Sequence, residues 1–167
     1  MMQKNEKVCC FSGHRHIAPE LVVHLPSLLD AKLSSLIENG FSIFKAGGAI
    51  GFDTICALKV LEMKKRYPER NIRLELCLPC PEQSAFFGDT GKKIYDYVLA
   101  HADSISYADK IYRPGCMFER NRTLVNGSDM CIAYLSSGRG GTAYTVSYAK
   151  EKGVEVVNLY EALRSLT

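Results

Sequence analysis

The sequence has no apolar run near the ~18–20 residues that a membrane-spanning helix requires, which excludes a helical integral membrane protein. It has almost no excess charge: 21 Lys and Arg against 18 Asp and Glu leave a net +3. That is too small a surplus to mark a nucleic-acid binder by itself. It has no internal repeats, no low-complexity tract and no shift of composition that would mark a linker, so its 167 residues are expected to form one domain, 1–167. Met1–Lys7 lacks the apolar stretch and small-residue cleavage site of a signal peptide, and the expected location is the cytoplasm. With 47% hydrophobic and 23% charged residues the composition is that of a folded, globular chain rather than a disordered one.

Familiar signatures are missing as well. Cys77-Leu78-Pro79-Cys80 has the spacing of a zinc or redox pair, but no second CxxC or CxxxH-type partner accompanies it. It closes a strand-like run rather than opening a helix, so a structural role is expected, with a redox role for Cys77 and Cys80 left open. The other cysteines, Cys9, Cys10, Cys56, Cys116 and Cys131, lie in or beside apolar runs and behave as small hydrophobes of a reducing compartment. No Lys-Ser/Thr follows the glycines as in a Walker A loop, and no strict GxGxxG is present, which excludes an ordinary dinucleotide dehydrogenase. No metal or cofactor is expected.

Short apolar or β-branched runs alternate with longer amphipathic ones. Strands are predicted at Val8–Phe11, Phe41–Phe44, Ile72–Leu78, Ser104–Tyr107, Met130–Leu135 and Glu155–Leu159. The fifth is apolar throughout, as a strand buried on both faces should be. Leu29, Leu33, Leu36 and Ile37 recur at helical spacing, and Asn39-Gly40 ends that helix. A second helix, capped by Asp53 or Thr54, runs to about Arg66. A third shows Ile94, Tyr97, Val98 and His101 on one face; a fourth covers Met117–Val125 and a fifth Thr142–Lys152. This alternation implies an α/β fold with a mostly parallel sheet covered on both faces.

Chemistry-bearing residues gather at the carboxyl ends of these strands. The first strand is followed by Ser12-Gly13-His14-Arg15, the second by Gly47-Gly48-Ala49-Ile50-Gly51-Phe52-Asp53, and the fifth by Ser136-Ser137-Gly138-Arg139-Gly140-Gly141-Thr142. Open α/β sheets bind ligands at that edge. Glycine lets backbone N–H groups approach a ligand, and a helix N-terminus adds partial positive charge; together they favour phosphate. Met117-Phe118-Glu119-Arg120-Asn121-Arg122 opens a helix with guanidinium forks suited to phosphate or carboxylate. Pro81-Glu82-Gln83 adds a carboxylate and an amide past the third strand. His14 and His16 read as solvated loop residues, and His24 and His101 as structural.

Taken together, Ser12-Gly13-His14-Arg15, Gly47-Gly48-Ala49-x-Gly51-x-Asp53, Pro81-Glu82-Gln83, Arg120-Asn121 and Gly140-Gly141-Thr142 resemble the YpsA-like family of the SLOG superfamily, from residue 7 to about 160. The resemblance implies a Rossmann-like three-layer α/β/α sandwich that binds nucleotides or nucleotide-derived ligands, commonly as a homodimer or larger homo-oligomer. Within the superfamily, the LOG phosphoribohydrolases share Gly47, Gly48, Gly51, Met117, Arg120 and Gly141-Thr142, but Asn121 replaces their lysine and Thr145 stands where their catalytic glutamate would be. Cleavage of an N-glycosidic bond wants a carboxylate near the sugar, and Glu82 and Glu119 are the candidate substitutes. DprA, which binds single-stranded DNA, has similar Gly48–Asp53 and Phe118–Arg122 segments; Tyr107, Tyr112 and Phe118 near Arg113, Arg120 and Arg122 are the candidate groove.

The expected function is therefore binding of a phosphate-containing nucleotide derivative of the ADP-ribose or NAD-derived class, in sensing, sequestration or regulation. A LOG-type N-glycosidase and a DprA-like DNA-binding module are the alternatives. Gly47, Gly48, Gly140, Gly141 and Thr142, with Gly13, His14, Gly51 and Gly138 shaping the loops, are expected to hold phosphate. Arg15 and Arg120 would neutralise it, and Ser12, Asp53, Glu82, Gln83 and Asn121 would read the sugar or base.

Overall fold

A computed structural model describes residues 6–167. The expectation that no leader is present falls largely on Met1–Asn5, which lie outside the described residues. Strands β1 (Lys7–Gly13), β2 (Phe41–Ala46), β3 (Arg73–Leu78), β4 (Ser104–Tyr107), β5 (Met130–Tyr134) and β6 (Glu155–Asn158) form one sheet in the order β4-β3-β2-β1-β5-β6. Every pairing is parallel. Helices α1 (Pro19–Val22), α2 (Leu25–Glu38), α3 (Phe52–Arg66), α4 (Gly88–His101), α5 (Cys116–Val125), α6 (Gly141–Glu151) and α7 (Leu159–Arg164) connect the strands and cover both faces. The fold is the expected Rossmann-like α/β/α sandwich.

Alternation along the strands sorts the core. Cys9, Phe11 and Phe44 face the layer of α2 and α3, where Phe11 and Phe44 stack at 6.1 Å beneath Leu25, Leu29 and Leu33. Cys10, Cys77 and Cys131 face the other layer, against Leu124, Val125, Val146 and Ala149 of α5 and α6. All seven cysteines are buried free thiols, and burial raises the Cys77 and Cys80 thiols above the usual range, which leaves them poor thiolate nucleophiles.

Several local details depart from the sequence expectations. The first two strands run two residues further, because Ser12 and Gly13 pair with Ala133 and Tyr134, and Lys45 and Ala46 pair with Glu75 and Leu76. Asp53 and Thr54 do not cap α3. Its N-cap is Gly51, while Thr54 Oγ1 donates to the Ala49 carbonyl at 2.8 Å from inside the first turn. On α4 the buried residues are Tyr95 and Val98; Tyr97 and His101 lie on the solvent side, their rings 4.2 Å apart. Both stripes of α4 satisfy helical spacing, and the fit of Tyr95 beside Phe87 decides which one is buried. The last strand stops at Asn158, whose side chain accepts from the Tyr160 N–H and turns the chain into α7. The short α1 and α7 were not anticipated.

The strand order places the switch point at β1. The chain winds through β2, β3 and β4 on one side and returns to β5 on the other, so it leaves β1 for one face of the sheet and β5 for the other, and a crevice opens there at the carboxyl edge. Phe44→Ala is expected to lower the unfolding free energy by about 3–5 kcal/mol in urea denaturation, and Tyr97→Ala to change it by less than about 0.5 kcal/mol.

Candidate functional site

A cleft of about 470 Å³ opens at this switch point, within the size range of small-ligand sites. The end of β1 supplies Ser12, Gly13, His14 and Arg15; the β2–α3 connection supplies Ala49 and Asp53; the start of α6 supplies Gly141 and Thr142. The remaining wall is α5, which presents Met117, Phe118, Arg120, Asn121 and Leu124. The turns after β1, β2 and β5 thus meet α5 around a single space. Polar residues are rarely buried without a partner or a task. Ser12, Asp53, Gln83, Arg120, Asn121, Thr142 and Thr145 are buried, and all except Thr145 belong to the residues singled out from the sequence.

Arg120 does not offer a free fork to the cleft, as its place at a helix start suggests. It is only 6% exposed. Its Nη1 donates to the Gly47 carbonyl, its Nε donates to Asn121 Oδ1 at 2.8 Å, and its Nη2 lies 3.7 Å from Met117 Sδ. A Cβ on Gly47 would stand 2.8 Å from Arg120 Nη1 and 2.9 Å from Asp53 Oδ2, so any side chain there would push these two charged groups out of their present positions. Asn121, its Oδ1 taken, has its Nδ2 on the Gly141 side of the cleft, 3.5 Å from where a Cβ on that glycine would lie.

Asp53 is buried beside this guanidinium. Burial pushes its carboxyl up to about 6, with the Arg120 charge acting in the opposite direction. Its Oδ1 has no hydrogen-bond partner among the described residues. Burial likewise lowers the Arg120 pKa, against the pull of Asp53.

His14 is half-buried rather than solvated. Its Nε2 accepts the Ser136 N–H at 3.0 Å, which places the ring proton on Nδ1, and burial lowers its pKa. The imidazole therefore ties the β1 turn to the loop after β5. Arg15 is exposed on the cleft rim. Gly51, at φ +86°, lets α3 start directly against the Arg15 backbone, where any Cβ would collide. Helix α6 begins at Gly141 behind the N-cap Gly140 with no side-chain cap, so its first amide N–H groups remain available at the cleft.

Other expected residues lie outside the wall. Gly47 and Gly48 are buried behind it, with Gln83 Nε2 donating to the Gly47 carbonyl at 3.1 Å. Glu82 is exposed on the loop after β3, and Glu119 is paired with Arg113 on the outer side of α5. Gly138 and Gly140 are exposed in the loop before α6. Asp53 is the carboxylate that reaches the cleft. Ala49, Met117, Phe118 and Leu124 were not among the expected ligand-binding residues. For three of them a signal existed: Met117, Arg120, Asn121 and Leu124 share one helical face by spacing, with Phe118 at its edge.

Because the folded pKa of Asp53 lies above the ordinary value of about 3.9, the native state holds this proton more tightly than the unfolded chain. The contribution of Asp53 to stability therefore falls as pH rises between about 4 and 6. Relative to the wild type, Asp53→Asn should gain about 3 kcal/mol of unfolding free energy across that interval, measured by urea denaturation at each pH.

A family model described as the YspA SLOG family matches residues 9–161. The chain is 27% identical over 135 residues to a UPF0398 protein of Bacillus cereus (strain G9842), covering 79% of this chain and 72% of that one. It is 26% identical over 144 residues to the SPbeta prophage-derived protein YoqJ of Bacillus subtilis (strain 168), covering 78% and 82%. Among solved structures, DNA processing protein A from Helicobacter pylori, described for its single-stranded DNA binding mode, matches with a TM-score of 0.63 at 19% identity, over 90% of this chain and 63% of that chain. DprA from Streptococcus pneumoniae matches with a TM-score of 0.62 at 15% identity, over 90% and 49%. The chain thus spans less than two thirds of either DNA-processing protein, and at these identities the likeness is one of fold. With nearly its whole length matched by the family model, the chain belongs to the YspA SLOG family.

Proposed function

We propose that the cleft binds a phosphate-bearing nucleotide derivative of the ADP-ribose or NAD-derived class, and that the protein acts by sensing or sequestering it in the cytoplasm. The observation that carries this reading is the convergence of an uncapped helix N-terminus at Gly141-Thr142, the Ser12 and Thr142 hydroxyls and the exposed Arg15 guanidinium on one cleft. Backbone N–H groups, hydroxyls and a cation are the donors that a phosphate takes. Asp53 and the Nδ2 of Asn121 lie within the same walls and suit ribose hydroxyls. Neither glutamate expected to replace a catalytic carboxylate reaches the cleft, and Thr145 donates to the Gly141 carbonyl at 2.9 Å; the carboxylate present is Asp53, held beside the Arg120 guanidinium, and binding is the reading preferred.

A second reading, single-stranded DNA binding, is supported by the fold shared with the DNA-processing proteins and by exposed Tyr107, Tyr112 and Phe118. Of the arginines near these rings, Arg113 is held by Asp109 and Glu119 and Arg120 is buried, so only Arg122, hydrogen-bonded to the neutral Tyr144 hydroxyl at 2.9 Å, offers an unpaired charge there among the described residues. The nucleotide reading is therefore preferred.

A thermal-shift screen with AMP, ADP-ribose, cyclic ADP-ribose, NAD and a short oligonucleotide tests the proposal. A ligand at 100-fold its Kd adds about 2.7 kcal/mol of stability. Arg15→Ala should weaken binding about ten- to a hundredfold with an unchanged melting temperature. Arg120→Ala should weaken binding and also destabilise the fold by about 3–5 kcal/mol, because the buried Asp53 carboxylate loses its main countercharge and the Gly47 carbonyl keeps only Gln83 as a side-chain donor. Unchanged affinity in Arg15→Ala would overturn the phosphate assignment.

We further propose that the single domain works as a homodimer or larger assembly, supported by exposed Phe86, Ile111 and Tyr112, at 96%, 64% and 60% exposure. Light scattering at micromolar concentration should give a mass above the 18.6 kDa of one chain.

A further inference from the structure

The cleft has two chemically different sides. Hydroxyls, helix amides and Arg15 lie around the ends of β1 and α6, whereas Met117, Phe118 and Leu124 make an apolar face on α5. Phe118 is 45% exposed while lining the cleft, an aromatic surface left facing water inside a ligand-sized space.

Its ring is held from behind. Tyr144 meets it edge-to-face with centroids 4.8 Å apart. Tyr144 is fixed in turn by Arg122, whose Nη1 donates to its hydroxyl at 2.9 Å, and by Tyr148, whose ring lies parallel at 10° and 6.4 Å. Tyr148 Oη donates to Asn126 Oδ1 at 2.8 Å, and Lys152 Nζ sits 5.5 Å from the centre of its ring. A solitary exposed phenylalanine on a helix needs no such backing. A ring immobilised before binding loses little entropy when a flat partner stacks on it.

Resting on the phosphate reading above, we propose that Phe118 is the base-stacking residue of this site, so that the ligand is a nucleotide whose base lies on the Phe118 ring while its phosphate is held at Arg15 and the α6 N-terminus. Tyr144 is a positioning residue that acts through Phe118. The assignment makes the α5 wall responsible for preferring base-bearing phosphates over sugar phosphates. Stacking tolerates any base, since each has a π-face, so discrimination among bases falls to the polar groups of the cleft.

AMP and ribose 5-phosphate, which differ by the base, are the probes, with binding to wild type, Phe118→Leu and Phe118→Trp measured by calorimetry. Phe118→Leu keeps apolar bulk and removes the planar face. It should weaken AMP about tenfold and leave ribose 5-phosphate unchanged, at an unaltered melting temperature. Phe118→Trp should restore AMP binding. The chain contains no tryptophan, so the single indole of this variant reports directly: its fluorescence should be quenched by AMP and not by ribose 5-phosphate. Equal losses for both ligands in Phe118→Leu, an unaffected AMP affinity, or an indole indifferent to AMP would overturn the stacking assignment while leaving the phosphate site standing. A wild-type protein that binds neither probe would overturn both.

Discussion

A guanidinium withdrawn from water costs several kcal/mol unless its donors and its charge are met. Arg120 meets that cost with the Gly47 carbonyl, the Asn121 side-chain oxygen and the neighbouring charge of Asp53. Each partner belongs to a different part of the site: Gly47 follows β2, Asp53 opens α3, and Asn121 sits on α5. One buried cation therefore fixes the distance between the β2–α3 turn and the α5 wall. It also fills the space that a side chain at position 47 would need, and it engages Asn121 Oδ1, leaving Nδ2 on the side of the α6 start. Asp53 owes its raised pKa to the same enclosure.

From this anchor the division of labour in the cleft follows. Arg120 faces inward and sets geometry, while Arg15, on the rim, retains an exposed charge. His14 closes the opposite corner by accepting the Ser136 N–H, so the turns after β1 and β5 are held together across the switch point where the chain reverses direction. Ligand-facing donors then come from elements that the scaffold already holds in place: a helix terminus, two hydroxyls and one cation. These are the donors on which the proposed phosphate site rests.

Membership of the YspA SLOG family and a fold shared with DNA-processing proteins describe the same scaffold. What distinguishes sites on a common fold is the chemistry of their walls. Here the arginines that precede and follow the α5 start are tied to acidic or phenolic partners, Arg113 with Asp109 and Glu119 and Arg122 with Tyr144.

The order of the strands and of the five longer helices, the parallel sheet and the edge where the cleft opens were legible in the sequence, because hydrophobic periodicity and glycine-bounded turns are local properties. So was most of the buried polar set around the cleft, since Ser12, Asp53, Arg120, Asn121 and Thr142 sit at strand ends and helix starts that topology must bring together. The direction in which those side chains act was not legible. Whether Arg120 faces the ligand or the Gly47 carbonyl, whether α4 buries Tyr95 or Tyr97, and whether Glu82 and Glu119 reach the cleft depend on contacts between segments distant in the chain. The same holds for the stack behind Phe118, which exists only because α5 and α6 pack side by side. Spacing along a chain assigns a residue to an element and a face. Close packing between elements then decides which face is buried and which charge is free, because each donor and each volume has to be matched by a neighbour that local sequence does not specify.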